Sequence, residues 1–242
     1  MQCMLQIILS CGAKCFVPSP RLSHSFKSIN MLLDLERYKS VLCLHGDLPL
    51  TWLKSSTLPI IATDGAANDL IAAGIYPAMI IGDCDSIHPD LLKTYPHRRI
   101  QDQNSTDFEK ALQYLAETNQ LPTIITGING GFLDQIIANI GIFARTDALY
   151  YSDTLLGWAM NEGSHSFTFP QDTKISLFGC PQALITSEGL RWELKQSHLI
   201  FGTFCSSSNR VQTAPLRITV HKGKVLAFAY CNPVIDAGSI HY

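Results

Sequence analysis

Between residues 38 and 151 the chain alternates short, β-branched apolar runs with stretches in which apolar residues recur every three or four positions. That alternation predicts parallel strands joined by helices. Strands are expected at 41–45, 59–63, 78–82, 98–101, 123–126 and 148–151. After Ser152 the helical spacing fades. Short apolar runs at 166–169, 174–178, 183–186, 218–221 and 225–230 are separated there by Gly, Pro, Asn and Ser, which predicts a small antiparallel sandwich or barrel. The expected fold is α/β, with a Rossmann-like parallel-sheet domain over 31–152 followed by an all-β sandwich over 153–242. No repeat or low-complexity linker separates the halves, so they are expected to pack closely around 152–162.

In an open α/β sheet the carboxyl ends of the strands line the ligand crevice. Here those ends run into polar residues: Gly46-Asp47, Asp64-Gly65, Asp83-Cys84-Asp85 and the glycine-rich 127–131. In extended chain, residues two apart face the same side, so Asp83 and Asp85 are expected to present paired carboxylates to one point. A cation between them relieves their repulsion, and Mg²⁺ suits hard oxygen ligands that work together with substrate phosphates. An isolated Asp-x-Asp is equally a solvated turn, but the apolar strand running into this one places it at the crevice.

The second signal is the run Asp102-Gln103-Asn104-Ser105-Thr106-Asp107-Phe108-Glu109-Lys110. Thr106 with Glu109 three residues on is a capping box, and Phe108, Ala111, Leu112 and Leu115 then fall on one helical face. The helix would turn its positive end to the crevice, where phosphate is favoured, with Lys110 in reach of an anionic oxygen. Read alone, Thr106 and Asp107 are equally ordinary capping residues and Lys110 a solvated partner of Asp107. The third signal, residues 126–135 (TGINGGFLDQ), is a glycine-rich strand-to-helix turn whose backbone N–H groups can approach an anion, although it lacks the Walker spacing.

Composition narrows the function. A net charge of −2, with both signs scattered, leaves no basic stripe for nucleic acid. The eight cysteines show no metal-ligand spacing and read as reduced thiols in a cytoplasmic protein. No apolar run approaches the roughly 20 residues of a membrane-spanning helix, so no membrane partner is expected. Residues 1–30 contain no acidic residue and end in a Ser/Pro/Lys/Arg-rich stretch; they are expected to be a disordered or misannotated extension, with translation starting at Met31.

In this order, D-G-A-A-N, G-D-x-D-S, D-Q-x-x-T-D-x-x-K-A and G-G-x-x-D-Q resemble the thiamine diphosphokinase (thiamin pyrophosphokinase) family. In the second half, residues 186–194 (TSEGLRWEL) look like the family's G-L-x-W segment, and residues 206–209 (SSSN) look like its S-x-S-N element. The resemblance implies transfer of diphosphate from ATP to the hydroxyl of thiamine, giving thiamine diphosphate and AMP, with Mg²⁺ as cofactor. It also implies a homodimer in which the α/β domain binds nucleotide, the β-sandwich binds thiamine, and the site lies between subunits. Carried over, Asp83, Asp85, Thr106 and Asp107 would be metal-proximal, with Asp83, Asp85 and Asp107 catalytic. Asp64, Gln103 and Asp134 would contact nucleotide or substrate, and Ser206 and Asn209 would hold thiamine. The chain departs from the pattern at Phe132, where the family usually has an arginine, at Arg210, and at His45, where a small or amide residue is expected. The missing cationic contact would come from Lys110 or Arg210. Trp192 follows Leu190 at strand spacing and is expected to be a core anchor.

Other readings use the same acids. A diphosphokinase for another alcohol, such as a hydroxymethylpterin, shares the α/β core but gives no reason for the second half. A metal-dependent glycosyltransferase explains the Asp-x-Asp and not the run from Thr106 to Lys110. A non-catalytic nucleotide or thiamine sensor would keep the pocket without turnover.

Overall fold

The computed structural model describes residues 37–230, so the expectation for residues 1–30 lies outside the described residues. The elements in chain order are β1 (Ser40–Cys43), α1 (Leu50–Ser55), β2 (Ile60–Thr63), α2 (Asp64–Ala72), β3 (Met79–Gly82), α3 (Pro89–Thr94), β4 (His97–Arg99), α4 (Asp107–Glu117), β5 (Thr123–Thr126), α5 (Leu133–Phe143), β6 (Leu149–Ser152), β7 (Leu155–Met160), β8 (Gly163–Phe167), β9 (Lys174–Glu188), β10 (Ser197–Ile200), β11 (Ser206–Arg210) and β12 (Leu216–Tyr230).

Strands β4, β3, β2, β1, β5 and β6 lie side by side in that order and are parallel throughout. The chain steps outward from β1 to β4, and α4 then carries it back to β5 on the other flank of β1. The reversal makes the gap between the carboxyl ends of β1 and β5 the natural ligand crevice. Both faces of this sheet are covered, which is why its strands read as unbroken apolar runs rather than alternating ones. Val41, Cys43 and Ile80 pack on one side with Leu53 of α1 and with Ala66, Ala67 and Leu70 of α2. Leu42, Ile61, Ile81 and Ile125 pack on the other side with Phe108, Ala111 and Leu115 of α4 and Phe143 of α5. The apolar stripe expected on α4 is the one it buries.

The second half continues the same hydrogen-bonded sheet in antiparallel mode. Strand β7, which the sequence does not announce, folds back on β6 with Leu149 opposite Trp158 and passes the sheet on to β12. The runs expected at 174–178 and 183–186 are one strand, β9, and those at 218–221 and 225–230 are another, β12. These long strands pair with each other while each changes its outer neighbour: β9 takes β11 near Leu177 and β10 near Leu184, and β12 takes β8 near Leu216 and β7 near Tyr230. What reads as a turn at Lys222-Gly223-Lys224 is a pair of register shifts inside β12. Gly223 has φ +84° there, and a Cβ on it would lie 2.2 Å from the Gln182 carbonyl oxygen, so only glycine lets the strands stay in contact. Among the described residues, no helix is long and apolar enough to cross a membrane.

Candidate active site

Three carboxylates from three different elements meet at the crevice. Asp64 opens α2 directly after β2, Asp83 follows β3, and Asp107 opens α4, and one oxygen from each lies within 4.8 Å of the others. Of the acids the sequence singles out as metal-proximal, Asp83 and Asp107 belong to this triplet. Asp85 lies outside the triplet but stays beside it: its carboxylate accepts a hydrogen bond from the Ser86 hydroxyl at 2.9 Å, and its side chain is hydrogen-bonded to that of Asp83. Cys84, with a φ of 62°, ends the extended geometry after Gly82, so a turn rather than strand alternation sets how Asp83 and Asp85 meet. The Asp85 backbone N–H also donates to Asp83, at 3.3 Å.

Asp64 takes the third position. It is 3 % exposed and is held by the N–H of Gly65 at 2.7 Å and, more loosely, that of Ser86 at 3.5 Å. Gly82 makes room for it, since a Cβ on Gly82 would sit 2.9 Å from the Asp64 carboxyl carbon. Burial raises the Asp64 pKa above the ordinary carboxylate value, and the charge of Asp107 raises it further. Asp83 is shifted down, chiefly by the Asp85 N–H, with a side-chain hydrogen bond to Asp85, then Gln103 and Lys110, also lowering it. Gln103 therefore reaches the cluster through Asp83.

Lys110 is 4 % exposed and donates from Nζ to Asp107 at 3.0 Å. Burial works against its ammonium, but the bond to Asp107 and the charges of Asp107, Asp83 and Asp102 outweigh it and raise its pKa. Lys110 is thus a buried counter-charge to the acids rather than a solvated partner of Asp107. Thr106 caps α4: its hydroxyl accepts from the Glu109 N–H at 3.2 Å and donates to the Glu109 carboxylate at 3.1 Å. Glu109 in return accepts from the Thr106 N–H at 3.1 Å, which completes the capping box. With its hydroxyl engaged by Glu109 in both directions, Thr106 fixes the first turn of α4 and so the position of Asp107.

The open space beside the cluster has two parts. One, of about 310 Å³, is lined by Asp64, Gly65, Ser86, Thr106, Asp107 and Asn139 among others. The other, of about 420 Å³, is lined by Asp47, Asp69, Gly130, Gly131 and Phe132. His45 and Gln135 line both and join them. Asp134 lines neither; the first turn of α5 sends its neighbour Gln135 into the space instead. The sequence reading names Gln135 only as part of a motif, and His45 only as a departure from one. The glycine turn is anchored from behind, since Asn129 donates to Asp47 at 2.8 Å and accepts from the buried Tyr150 hydroxyl.

Ser206 and Asn209 lie apart from this cleft. Asn209 is 2 % exposed and every polar direction of its side chain is used within the chain: it donates to the Trp192 carbonyl at 2.8 Å and to Ser206 at 3.1 Å, and accepts from the N–H groups of Trp192 at 3.2 Å and Arg210 at 2.8 Å. The pair braces the loop that presents Trp192, which is 58 % exposed rather than the core anchor its spacing suggests. Glu193 knits the same loop by accepting from the N–H groups of Gly189 and Leu190. Arg210 donates to the Asp172 carbonyl at 2.9 Å and lines neither part of the cleft.

The carboxylate donor set, with no thiol or imidazole in it, fits a hard divalent cation such as Mg²⁺. Comparison with known proteins agrees with the layout. Residues 50–151 match the family model "Thiamin pyrophosphokinase, catalytic domain", and residues 164–225 match "Thiamin pyrophosphokinase, vitamin B1 binding domain". The chain is 25 % identical to Thiamine pyrophosphokinase 1 of Oryza sativa subsp. japonica over 207 residues, 71 % of this chain and 78 % of that one. It is 30 % identical to Thiamine pyrophosphokinase 2 of Arabidopsis thaliana over 157 residues, 56 % of this chain and 59 % of that one. Among solved structures, thiamin pyrophosphokinase from Candida albicans superposes with a TM-score of 0.71 at 16 % identity, over 83 % of this chain and 91 % of that one. The Bacillus subtilis enzyme superposes with a TM-score of 0.67 at 20 % identity, over 79 % and 99 %. At these identities the superpositions speak for the fold, while the two consecutive family models between them cover well over half of the 242 residues. The chain belongs to the thiamin pyrophosphokinase family.

Proposed function

We propose that the protein is a thiamine diphosphokinase, which moves the terminal diphosphate of ATP to the hydroxyl of thiamine and releases AMP. The observation that carries this reading is the meeting of Asp64, Asp83 and Asp107 beside a cleft that ends in a helix N-terminus and a glycine turn. The three carboxylates would hold Mg²⁺, which when bound neutralises phosphate charge. Lys110 keeps the acids close by offsetting part of their repulsion. The N-terminus of α4 and the N–H groups of Gly130 and Gly131 bind phosphate oxygens, fixing the donor in line for attack. Trp192 offers an exposed ring for the aromatic system of thiamine, and Ser206 and Asn209 hold that ring in place.

The finer architecture belongs to the same reading. The second half forms a β-sandwich carrying the thiamine side of the site, and two chains associate so that Trp192 of one faces the acidic cleft of the other. Support comes from α5, where Leu133 and Ile137 are exposed one turn apart beside the cleft, an apolar stripe of the kind a second chain covers. Dependence on ATP and Mg²⁺ suits a cytoplasmic enzyme.

The test is incubation with ATP, Mg²⁺ and thiamine, with the nucleotides resolved. AMP formed in step with thiamine diphosphate is expected. ADP as the product, AMP formed equally with a hydroxymethylpterin, or binding without turnover would each overturn the reading.

A further inference from the structure

The cleft has an electrostatic problem that the carboxylate cluster makes worse. Its lining includes four aspartates, Asp47, Asp64, Asp69 and Asp107, and among the described residues neither a lysine nor an arginine. ATP brings several further negative charges, and one divalent cation offsets only part of the total. Lys110 faces Asp107 from within the core and lines neither part of the space. Among the lining side chains His45 is the one basic group whose ring N–H can face phosphate, and it stands where the metal-side and glycine-side parts join.

His45 is also placed rather than merely present. It follows Leu44, whose N–H bonds the Thr126 carbonyl at 2.9 Å, so its backbone is fixed at the β1–β5 gap. Its ring lies over Gly65 so closely that a Cβ on Gly65 would come within 2.7 Å of Nδ1. The first turn of α2 thus packs against the imidazole at Gly65. Among the described residues no hydrogen-bond or ion-pair partner engages it, so both ring nitrogens remain available. Resting on the diphosphokinase reading, we infer that His45 is a specificity-determining residue that donates to oxygens of the β- and γ-phosphates of the nucleotide, so that it selects triphosphate over monophosphate and helps AMP leave once the diphosphate has moved. An imidazole N–H to an ionised phosphate oxygen is a charge-assisted hydrogen bond, among the stronger polar contacts available.

Calorimetry with Mg²⁺ and α,β-methylene-ATP, which keeps all three phosphates but blocks the bond that would break, tests the inference without requiring turnover. His45→Ala is expected to weaken analogue binding about tenfold or more while changing AMP binding less than about twofold. His45→Lys, which restores an N–H donor, is expected to recover most of the loss, and the melting temperature should be the same in all three proteins. In turnover, His45→Ala should raise KM for ATP and leave KM for thiamine alone. Analogue binding unchanged in His45→Ala, equal loss for AMP and analogue, or no recovery with lysine would each overturn the inference. Failure of the function reading looks different: a wild-type protein that binds the analogue through His45 yet makes no AMP with thiamine retains the phosphate contact and loses the proposed reaction.

Discussion

Asp64 shows how much of this site is decided one side chain at a time. A carboxylate at 3 % exposure, close to two others, is unfavourable without a cation, and its raised pKa is the same statement in protons. The sign follows from the direction of the shift. A protonated Asp64 carries no penalty, and the cost appears as pH rises through its raised folded-state pKa. Replacing each acid by asparagine separates catalytic from structural roles. Asp83→Asn and Asp107→Asn are expected to lower the rate of AMP formation about a hundredfold or more. Asp85→Asn should cost less than tenfold, because its side chain lies outside the triplet while its N–H remains. Asp64→Asn should lose activity yet gain about 0.5–2 kcal/mol of metal-free stability in urea denaturation at pH 7, with the gain shrinking on acidification. Equal losses in Asp83→Asn and Asp85→Asn would restore the paired Asp-x-Asp reading; a destabilised Asp64→Asn would show the carboxylate to be structural.

At the scale of elements, α4 was legible in advance and α5 only in part. Thr106, Glu109 and the stripe Phe108, Ala111 and Leu115 specify where α4 begins and which face it buries, because a capping box and a 3.6-residue period are both local. The helix is also the lever that positions Asp107. Thr106→Ala is expected to cost about 1 kcal/mol and to raise the Mg²⁺ concentration needed for half-maximal rate, whereas Thr106→Ser keeps both near wild type. A Mg²⁺ requirement unmoved by Thr106→Ala would mean that Asp107 is held without the cap. For α5 the motif pointed to Asp134, but the angle at which the helix leaves the glycine turn decides which side chain of its first turn enters the cleft, and that side chain is Gln135. The long strands β9 and β12 each look like two strands in sequence for a related reason: a bulge and a turn use the same residues, and only the pairing partner tells them apart.

For the whole molecule, the distribution of chemistry between the halves matters more than any one contact. The acids and glycine turn occupy the parallel half, and the exposed Trp192 with its Asn209 brace occupies the antiparallel half. If the site forms between chains, two defective variants can repair each other. Mixing equal amounts of Asp107→Asn and Trp192→Ala under conditions that exchange subunits is expected to restore about a quarter of wild-type activity, the share expected from random pairing in a two-fold dimer. Sedimentation velocity should show the dimer at the same concentrations. No recovery in the mixed sample, with exchange demonstrated, would place both halves of the site within one chain.

The sequence by itself determined the order of strands and helices in the first half, the cap and apolar face of α4, and the presence of acids at strand ends, because each depends on residues a few positions apart. It also carried the likeness to the family, through motifs in fixed order. The tertiary structure alone decided which acids meet, since Asp64, Asp83 and Asp107 are brought together by neighbouring strand ends and a crossing helix. It decided likewise that Lys110 is buried and Trp192 exposed, because burial depends on what packs from elsewhere in the chain.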